Sequence, residues 1–254
     1  MAKPWNIFRA GKIPALFLHI QKTAGTSIIN LARHFYQDSV ISHGDYCTRQ
    51  PGELADTLFV SGHFGYAYAR HLMQGRYSFT FLRDPVERAL SFYYFCRSRD
   101  PAQFPIYRLA REHDLEQFTT ACISDPLYKM LLWNNQTWQL AFGDTHLEKH
   151  PNAGLSPDQL LKLAKRHLAE FSYVGFTESF DTDAYNICRE LGFPPKALRK
   201  ELPFAKANAT PMRKGFVEQP ANIKKLLLEI TELDRELYDH ARCTFSAKRK
   251  FWWG

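Results

Sequence analysis

The segment Ala15-Leu16-Phe17-Leu18-His19-Ile20 is a short apolar run that stops at a polar loop, Gln21-Lys22-Thr23-Ala24-Gly25-Thr26-Ser27. Apolar residues at helical spacing follow, from Ile28 to Phe35, and Thr26 or Ser27 is placed to cap that helix. An apolar run this short, without the alternation of a half-solvated strand, suits a strand buried on both faces. Such strands belong to parallel sheets covered by helices, so this one unit restricts the chain to α/β architectures.

The unit recurs along the chain. Thr57 to Ser61 reads as a second strand. Tyr77 to Leu82 is a third, stopped by Arg83-Asp84-Pro85, with Pro85 opening a helix through Cys96. Ala102 to Gly143 looks mostly helical. Ser156 begins a helix to Glu170, Phe171 to Phe176 is a fourth strand, and a helix follows from Asp181 to Leu191. Ile223, Leu226, Leu227, Ile230, Leu233 and Leu237 form one stripe of a last helix. Gly192 to Pro220, rich in proline and basic residues, reads as a long loop. The expectation is a single domain over residues 1–254, with a central parallel sheet flanked by helices. Its core runs from about residue 13 to 240, and residues 241–254 form a basic, aromatic tail containing Lys248-Arg249-Lys250-Phe251-Trp252-Trp253.

Composition narrows the chemistry. At 254 residues, 45% hydrophobic and 15% aromatic, the chain can bury a full core and is neither disordered nor low-complexity. Its 33 Lys+Arg against 26 Asp+Glu leave +7, which asks for an anionic partner. Cys47, Cys96, Cys122, Cys188 and Cys243 are odd in number and lack CxxC spacing. They suggest neither a zinc site nor a disulfide framework, and no metal-ligand cluster is visible elsewhere. No N-terminal apolar run approaches the ~20 residues a bilayer span needs, so a soluble, cytoplasmic protein is expected.

The loop after the first strand has the makings of an anion cradle. Gly25 lets backbone approach a phosphate, successive N–H groups and the helix N-terminus point at it, and Lys22 adds a full charge. It is not a Walker A loop, because Lys22 precedes the glycine and no GxxxxGK[ST] run exists. His19 to Ser27 resembles instead the 5′-phosphosulfate loop, H-I-[PQ]-K-T-[AG]-G-[ST]-[ST], of sulfotransferases that use 3′-phosphoadenosine 5′-phosphosulfate (PAPS). The nearest branch is that of the heparan sulfate 2-O- and 6-O-sulfotransferases. The resemblance implies a P-loop-like sulfotransferase fold in which Lys22, Thr23, Ala24, Gly25, Thr26 and Ser27 grip the 5′-phosphosulfate. It also implies that Lys22 stabilises the departing bridging oxygen.

A second strand end carries Arg83-Asp84-Pro85-Val86-Glu87-Arg88-Ala89-Leu90-Ser91. An arginine there can hold a phosphate in a bidentate fork, and Ser91 lies in the first turns of the following helix. The segment resembles the family's R-D-P-x-x-R-x-x-S site, which implies that Arg83 and Ser91 hold the 3′-phosphate. A turn in which Arg83 pairs with Asp84 or Glu87 is the plainer alternative, and Arg88 is read as facing either solvent or Glu87. Between the two cradles lies Ser61-Gly62-His63, matching the family's [ST]-G-H segment with its catalytic histidine. A histidine, titrating near ~6.5, suits proton removal from an acceptor hydroxyl. Glu87 or another carboxylate is the rival base.

Further along, Asn134-Asn135-Gln136-Thr137-Trp138-Gln139-Leu140 resembles the family's N-x-Q-T-x-x-L stretch, where Gln136, Thr137 and Trp138 either meet the ligands or lie in a buried helix. Val174 to Glu178 resembles a late, mainly structural strand. Arg213 and Lys214, in a basic loop, stand to touch the 3′-phosphate or an anionic acceptor. The chain departs from Golgi members of the family in showing no N-terminal anchor and no evident disulfides, which favours a cytoplasmic, bacterial-type enzyme. The function expected is PAPS-dependent sulfuryl transfer, releasing PAP, to a hydroxyl of a glycan or other hydroxylated small molecule, without metal or nucleic acid. The alternatives are a P-loop-like kinase, which the missing Walker A motif opposes, and a polyanion-binding module, which the scattered basic residues oppose.

Overall fold

The computed structural model describes residues 12–37, 39–142, 155–194 and 214–250, the last five by backbone alone. Five strands, β1 (Ala15–Leu18), β2 (Val40–Ile41), β3 (Phe59–Gly62), β4 (Tyr77–Leu82) and β5 (Tyr173–Phe176), form one parallel sheet in the order β2-β3-β1-β4-β5. Every residue of β1, β3 and β4 is buried, as the unalternating apolar runs require of strands covered on both faces.

On one face α1 (Gly25–Tyr36) and, late in the chain, α9 (Phe180–Glu190) cover Phe17, Phe79 and Phe81. Phe17 stacks on Phe79 with ring centroids 4.8 Å apart, a contact of the kind that adds about 0.5–1.5 kcal/mol beyond burial. On the other face α2 (Tyr66–Met73), α7 (Asn135–Ala141), α8 (Pro157–Leu168) and the last helix, Glu232–Lys250, close over Leu16, Leu18, Val60 and Leu82. A third apolar cluster unites α3 (Pro85–Ser98), α4 (Pro105–Glu112), α5 (Leu115–Ser124), α6 (Pro126–Leu132) and α10 (Ala221–Ile230). The helical stretch expected over 102–143 is thus four helices, and the edge strand β2 carries too short an apolar signal to be read from sequence.

Two expectations are corrected. First, α1 starts at Gly25 rather than Ile28, so Thr26 and Ser27 lie inside its first turn. The residue before it, Ala24, is left-handed (φ 68°) and supplies no side-chain cap. Second, the stripe from Ile223 to Leu237 is two helices, α10 and α11 (Glu232–Lys250), because Asn134 is wedged at their junction. Its amide takes the Ile230 carbonyl at 2.8 Å, the acceptor that a continuous helix would give to residue 234. The Asp234 amide donates instead to Asn134 Oδ1 at 3.1 Å, and Thr231 Oγ1 turns back onto the Leu227 carbonyl at 2.7 Å. Helix α11 runs on through residue 250, past the expected core limit at 240. Arg213, most of the basic loop and Phe251 to Trp253 lie outside the described residues.

Candidate active site

In β1, Leu18 pairs with Gly62 of β3 and with Thr80 of β4, so three adjacent parallel strands end at one edge of the sheet. Their loops begin with His19, His63 and Arg83. A cleft of about 760 Å³ opens there, at the carboxyl ends of strands where open α/β sheets hold their ligands. Lys22, Ala24, Gly25, Thr26, Ser27, His63, Arg83 and Ser91 all line it.

In the first loop Lys22 (φ 70°) and Ala24 (φ 68°) are both left-handed, a conformation that costs an L-residue of order 1–3 kcal/mol each and persists at ligand clamps. Left-handed residues in such a turn gather amide groups into an anion-binding concavity ahead of the α1 N-terminus. Thr23 belongs to the loop but turns its side chain inward, its hydroxyl donating to the Ile20 carbonyl at 2.8 Å. What it can offer the cleft is backbone. Gly25 has a role that the sequence does not display. A Cβ on it would lie 1.8 Å from His19 Nε2, so the buried imidazole occupies the space where any side chain would go.

Arg83 is held from two sides. Its Nη1 donates to the Lys22 carbonyl at 3.1 Å, tying the two cradles together. Its backbone is clamped by Gln136, which accepts from the Arg83 amide at 3.0 Å and donates to the Arg83 carbonyl at 2.9 Å. The Asp84 carboxylate is engaged elsewhere, by the Glu87 amide at 3.0 Å and by Arg235 Nη2 at 2.6 Å. Ser91 reaches the cleft from α3 and is 6% exposed.

Arg88 faces neither solvent nor Glu87, contrary to both readings of the sequence. It is 0% exposed, donates Nη2 to the Leu131 carbonyl at 3.0 Å, and leaves Nε and Nη1 without hydrogen-bond partners. Burial lowers its pKa to about 10, with buried Asp234 acting in the opposite direction. Asp234 in turn accepts from the amides of Gln136 (3.2 Å) and Thr137 (2.7 Å), so it caps α7 from another helix. Of the two readings for the 134–140 stretch, Gln136 and Thr137 take the buried one, and Trp138 packs against the core cluster beneath the sheet.

His63 Nδ1 lies 2.9 Å from the carbonyl oxygen of His19. A carbonyl only accepts, so Nδ1 carries the hydrogen and the neutral ring presents Nε2 as a lone pair. That is the tautomer a general base needs. The rival Glu87 sits in the first turn of α3 and does not line the cleft. The His19 ring lies 4.4 Å from that of His63 and is held neutral. Burial pushes its pKa well below 6.5, reinforced by His63, His43 and Lys22.

Three contributors escape sequence reasoning. Gln139 Nε2 donates to the carbonyls of His19 (3.2 Å) and Phe64 (2.9 Å), fixing the ends of β1 and β3 together. Its position in the N-x-Q-T-x-x-L stretch is the only signal that pointed to it. Phe95 lines the cleft with Lys22 Nζ 4.0 Å and Arg99 Cζ 4.4 Å from its ring centroid, cation–π distances. His43, from the loop after β2, adds a third imidazole. Lys214 is exposed and is not part of this wall.

Comparison with known proteins finds relatives of this sequence. The family model described as "Sulfotransferase family" matches residues 5–241. Heparan-sulfate 6-O-sulfotransferase 1 of Gallus gallus is 27% identical over 283 residues, covering 91% of this chain and 66% of the relative. Heparan-sulfate 6-O-sulfotransferase 1-B of Danio rerio is 26% identical over 291 residues, covering 95% and 68%. The Mus musculus 6-O-sulfotransferase 1 is 27% identical over 287 residues, covering 93% and 66%. The chain spans about two thirds of the length of these relatives.

Proposed function

The chain belongs to the sulfotransferase family, and from that premise we propose that it is a PAPS-dependent O-sulfotransferase acting on a hydroxyl of a glycan or a similar hydroxylated molecule. The observation that carries this reading is the convergence, at three adjacent strand ends, of an anion cradle, a cleft-lining arginine and a histidine whose Nδ1 is engaged by a backbone carbonyl.

The residues present suit the donor. The left-handed turn at Lys22 and Ala24 and the N-terminus of α1 would receive the 5′-phosphosulfate through backbone N–H groups of residues 24–27. Arg83 and Ser91, on the same wall, would take the 3′-phosphate. PAPS supplies the transferable sulfuryl group and departs as PAP.

The remaining chemistry belongs to the chain. His63 Nε2 takes the proton of the acceptor hydroxyl, and the His19 carbonyl at Nδ1 stabilises the imidazolium that results. Lys22 neutralises charge growing on the leaving oxygen, an electrostatic contribution made from a fixed position beside the cradle. The relatives bear the name of heparan sulfate, so a glycan is the first acceptor to test. The buried cysteines Cys96, Cys122 and Cys188 stand as thiols, which suits a reducing compartment and so a cytoplasmic setting. No described helix is long and apolar enough to cross a membrane.

The test pairs calorimetric titration of PAP, and of ATP with Mg²⁺, with an acceptor screen using labelled PAPS on wild type and His63→Ala. Binding of PAP and loss of most transfer in the variant are expected. Preference for ATP with Mg²⁺ would favour a phosphotransferase, and normal rates in His63→Ala would remove the base assignment.

A further inference from the structure

Arg83 stands one residue beyond β4, past the pairing register of both neighbouring strands, which ends at Thr80 toward β1 and at Leu82 toward β5. Its backbone is nevertheless paired as if the sheet continued. Gln136 Oε1 accepts from the Arg83 amide at 3.0 Å, and Gln136 Nε2 donates to the Arg83 carbonyl at 2.9 Å. Which carboxamide atom faces which group is dictated by the backbone, because an N–H only donates and a carbonyl only accepts. Contact with both polar groups of one residue is what an adjoining strand supplies. One buried side chain thus serves as the strand partner that Arg83 lacks.

The backbone on either side is held in the same way. The Leu82 carbonyl accepts from Thr177 Oγ1 at 3.3 Å, and the Asp84 amide donates to Glu178 Oε1 at 2.8 Å. Gln136 is itself fixed from behind, its own amide donating to buried Asp234 Oδ2 at 3.2 Å. It is 1% exposed and does not line the cleft, so it acts on a ligand only through Arg83. An arginine grips a phosphate through a planar fork of N–H groups, and that fork is aimed by the backbone that carries it.

We propose that Gln136 is a positioning residue for the donor. Its carboxamide fixes the Arg83 backbone so that the guanidinium meets the 3′-phosphate, and it thereby sets the preference for a 3′,5′-bisphosphate nucleotide over a 5′-monophosphate. The preference rests on the proposed assignment of Arg83 to the 3′-phosphate, whereas the clamp on the Arg83 backbone does not.

The experiment has two arms. In the first, amide exchange of the full chain is followed in ¹H–¹⁵N spectra. The Arg83 amide of wild type should exchange about 10-fold or more slowly than amides of exposed loops, although it lies outside the strand, and Gln136→Met should remove that protection. An Arg83 amide that exchanges like a loop amide in wild type would overturn the clamp, whether or not the variant folds. In the second arm, calorimetry gives the affinities for PAP and for adenosine 5′-phosphate in wild type, Gln136→Met, Arg83→Ala and the double variant. Gln136→Met keeps the volume and should lower the preference for PAP about 10-fold, the worth of a lost hydrogen bond. In the Arg83→Ala background the same change should move that preference by less than about 2-fold, because Gln136 acts through Arg83. A merely structural role would lower the melting temperature and leave the preference at its wild-type value, as Leu161→Ala, a truncation in the core of α8, should do. A wild-type preference in Gln136→Met, or equal losses in both backgrounds, would overturn the proposal. If wild type binds PAP no better than adenosine 5′-phosphate, the assignment of Arg83 to the 3′-phosphate fails instead, and the exchange arm still decides whether Gln136 holds Arg83.

Discussion

The carbonyl oxygen of His19 receives the Nδ1 hydrogen of His63 at 2.9 Å across the gap between β1 and β3. One backbone group on the cradle strand therefore sets the protonation pattern of the proposed base on its neighbour. It is not held by His63 alone, since Gln139 Nε2 reaches the same oxygen at 3.2 Å and the Phe64 carbonyl at 2.9 Å.

Gln139 is accordingly a positioning residue. Gln139→Leu leaves two buried carbonyls short of a donor, at about 1–3 kcal/mol of stability. Turnover should fall with PAP affinity retained, read by paired activity and titration measurements. A variant with unchanged kcat would remove Gln139 from this role.

Gly25→Ala puts a Cβ 1.8 Å from His19 Nε2. The imidazole is buried on the wall of the cleft and has to move aside, so overpacking of about 1–3 kcal/mol is expected in a denaturant melt. Displacement of His19 also shifts the carbonyl that holds His63, and donor binding and turnover should fall together.

Lys22 and Arg83 separate by what they do. Lys22→Ala should lower kcat by about 10²-fold or more, as loss of a charge-stabilising group does, with donor affinity reduced far less. Arg83→Ala should chiefly weaken PAP binding, and because Arg83 also braces the Lys22 carbonyl, it should carry a secondary loss in kcat. Titration and single-turnover rates resolve the two.

Asp234 and Arg88 are both buried in the interior, with opposing charges. Asp234→Asn removes the charge that favours the buried Arg88 cation and weakens the bonds to the Gln136 and Thr137 amides, and should cost about 1–3 kcal/mol. The double variant Arg88→Met/Asp234→Asn removes the stranded charge and should regain part of that loss. If the double variant is less stable than Asp234→Asn, electrostatics is not the cause.

Acid should weaken the fold through its histidines. His19, His43 and His167 all have pKa values lowered from 6.5, each chiefly by burial. The unfolded chain then binds protons that the folded chain refuses, so stability is full above about 6.5 and declines as pH falls below it. Melting temperatures across that range should show the decline. His167→Asn, which keeps a donor for the Leu140 carbonyl now 3.0 Å from His167 Nδ1, should make it shallower.

The strand–loop–helix units at residues 15–35 and 77–96 were legible because each is local. Apolar runs of strand length, a glycine-bearing loop and a proline at a helix start are features of neighbouring residues. They carried the parallel sheet, the family resemblance and the residues that line the cleft. Arg88 shows where this stops, because nothing in R-D-P-x-x-R-x-x-S tells a solvated arginine from one buried against the Leu131 carbonyl. The break between α10 and α11 was equally hidden, since it is made by Asn134, about a hundred residues away in sequence.

The sequence by itself determined that β1, β3, β4 and β5 are strands, and which side chains stand at their ends, through periodicity and motif spacing over a few residues. Only the tertiary structure decided that β3, β1 and β4 lie side by side, that Gln139 meets a carbonyl 120 residues away, and that the His19 carbonyl takes the Nδ1 hydrogen of His63. Those are hydrogen bonds and burial between distant parts of the chain, and no local propensity encodes them.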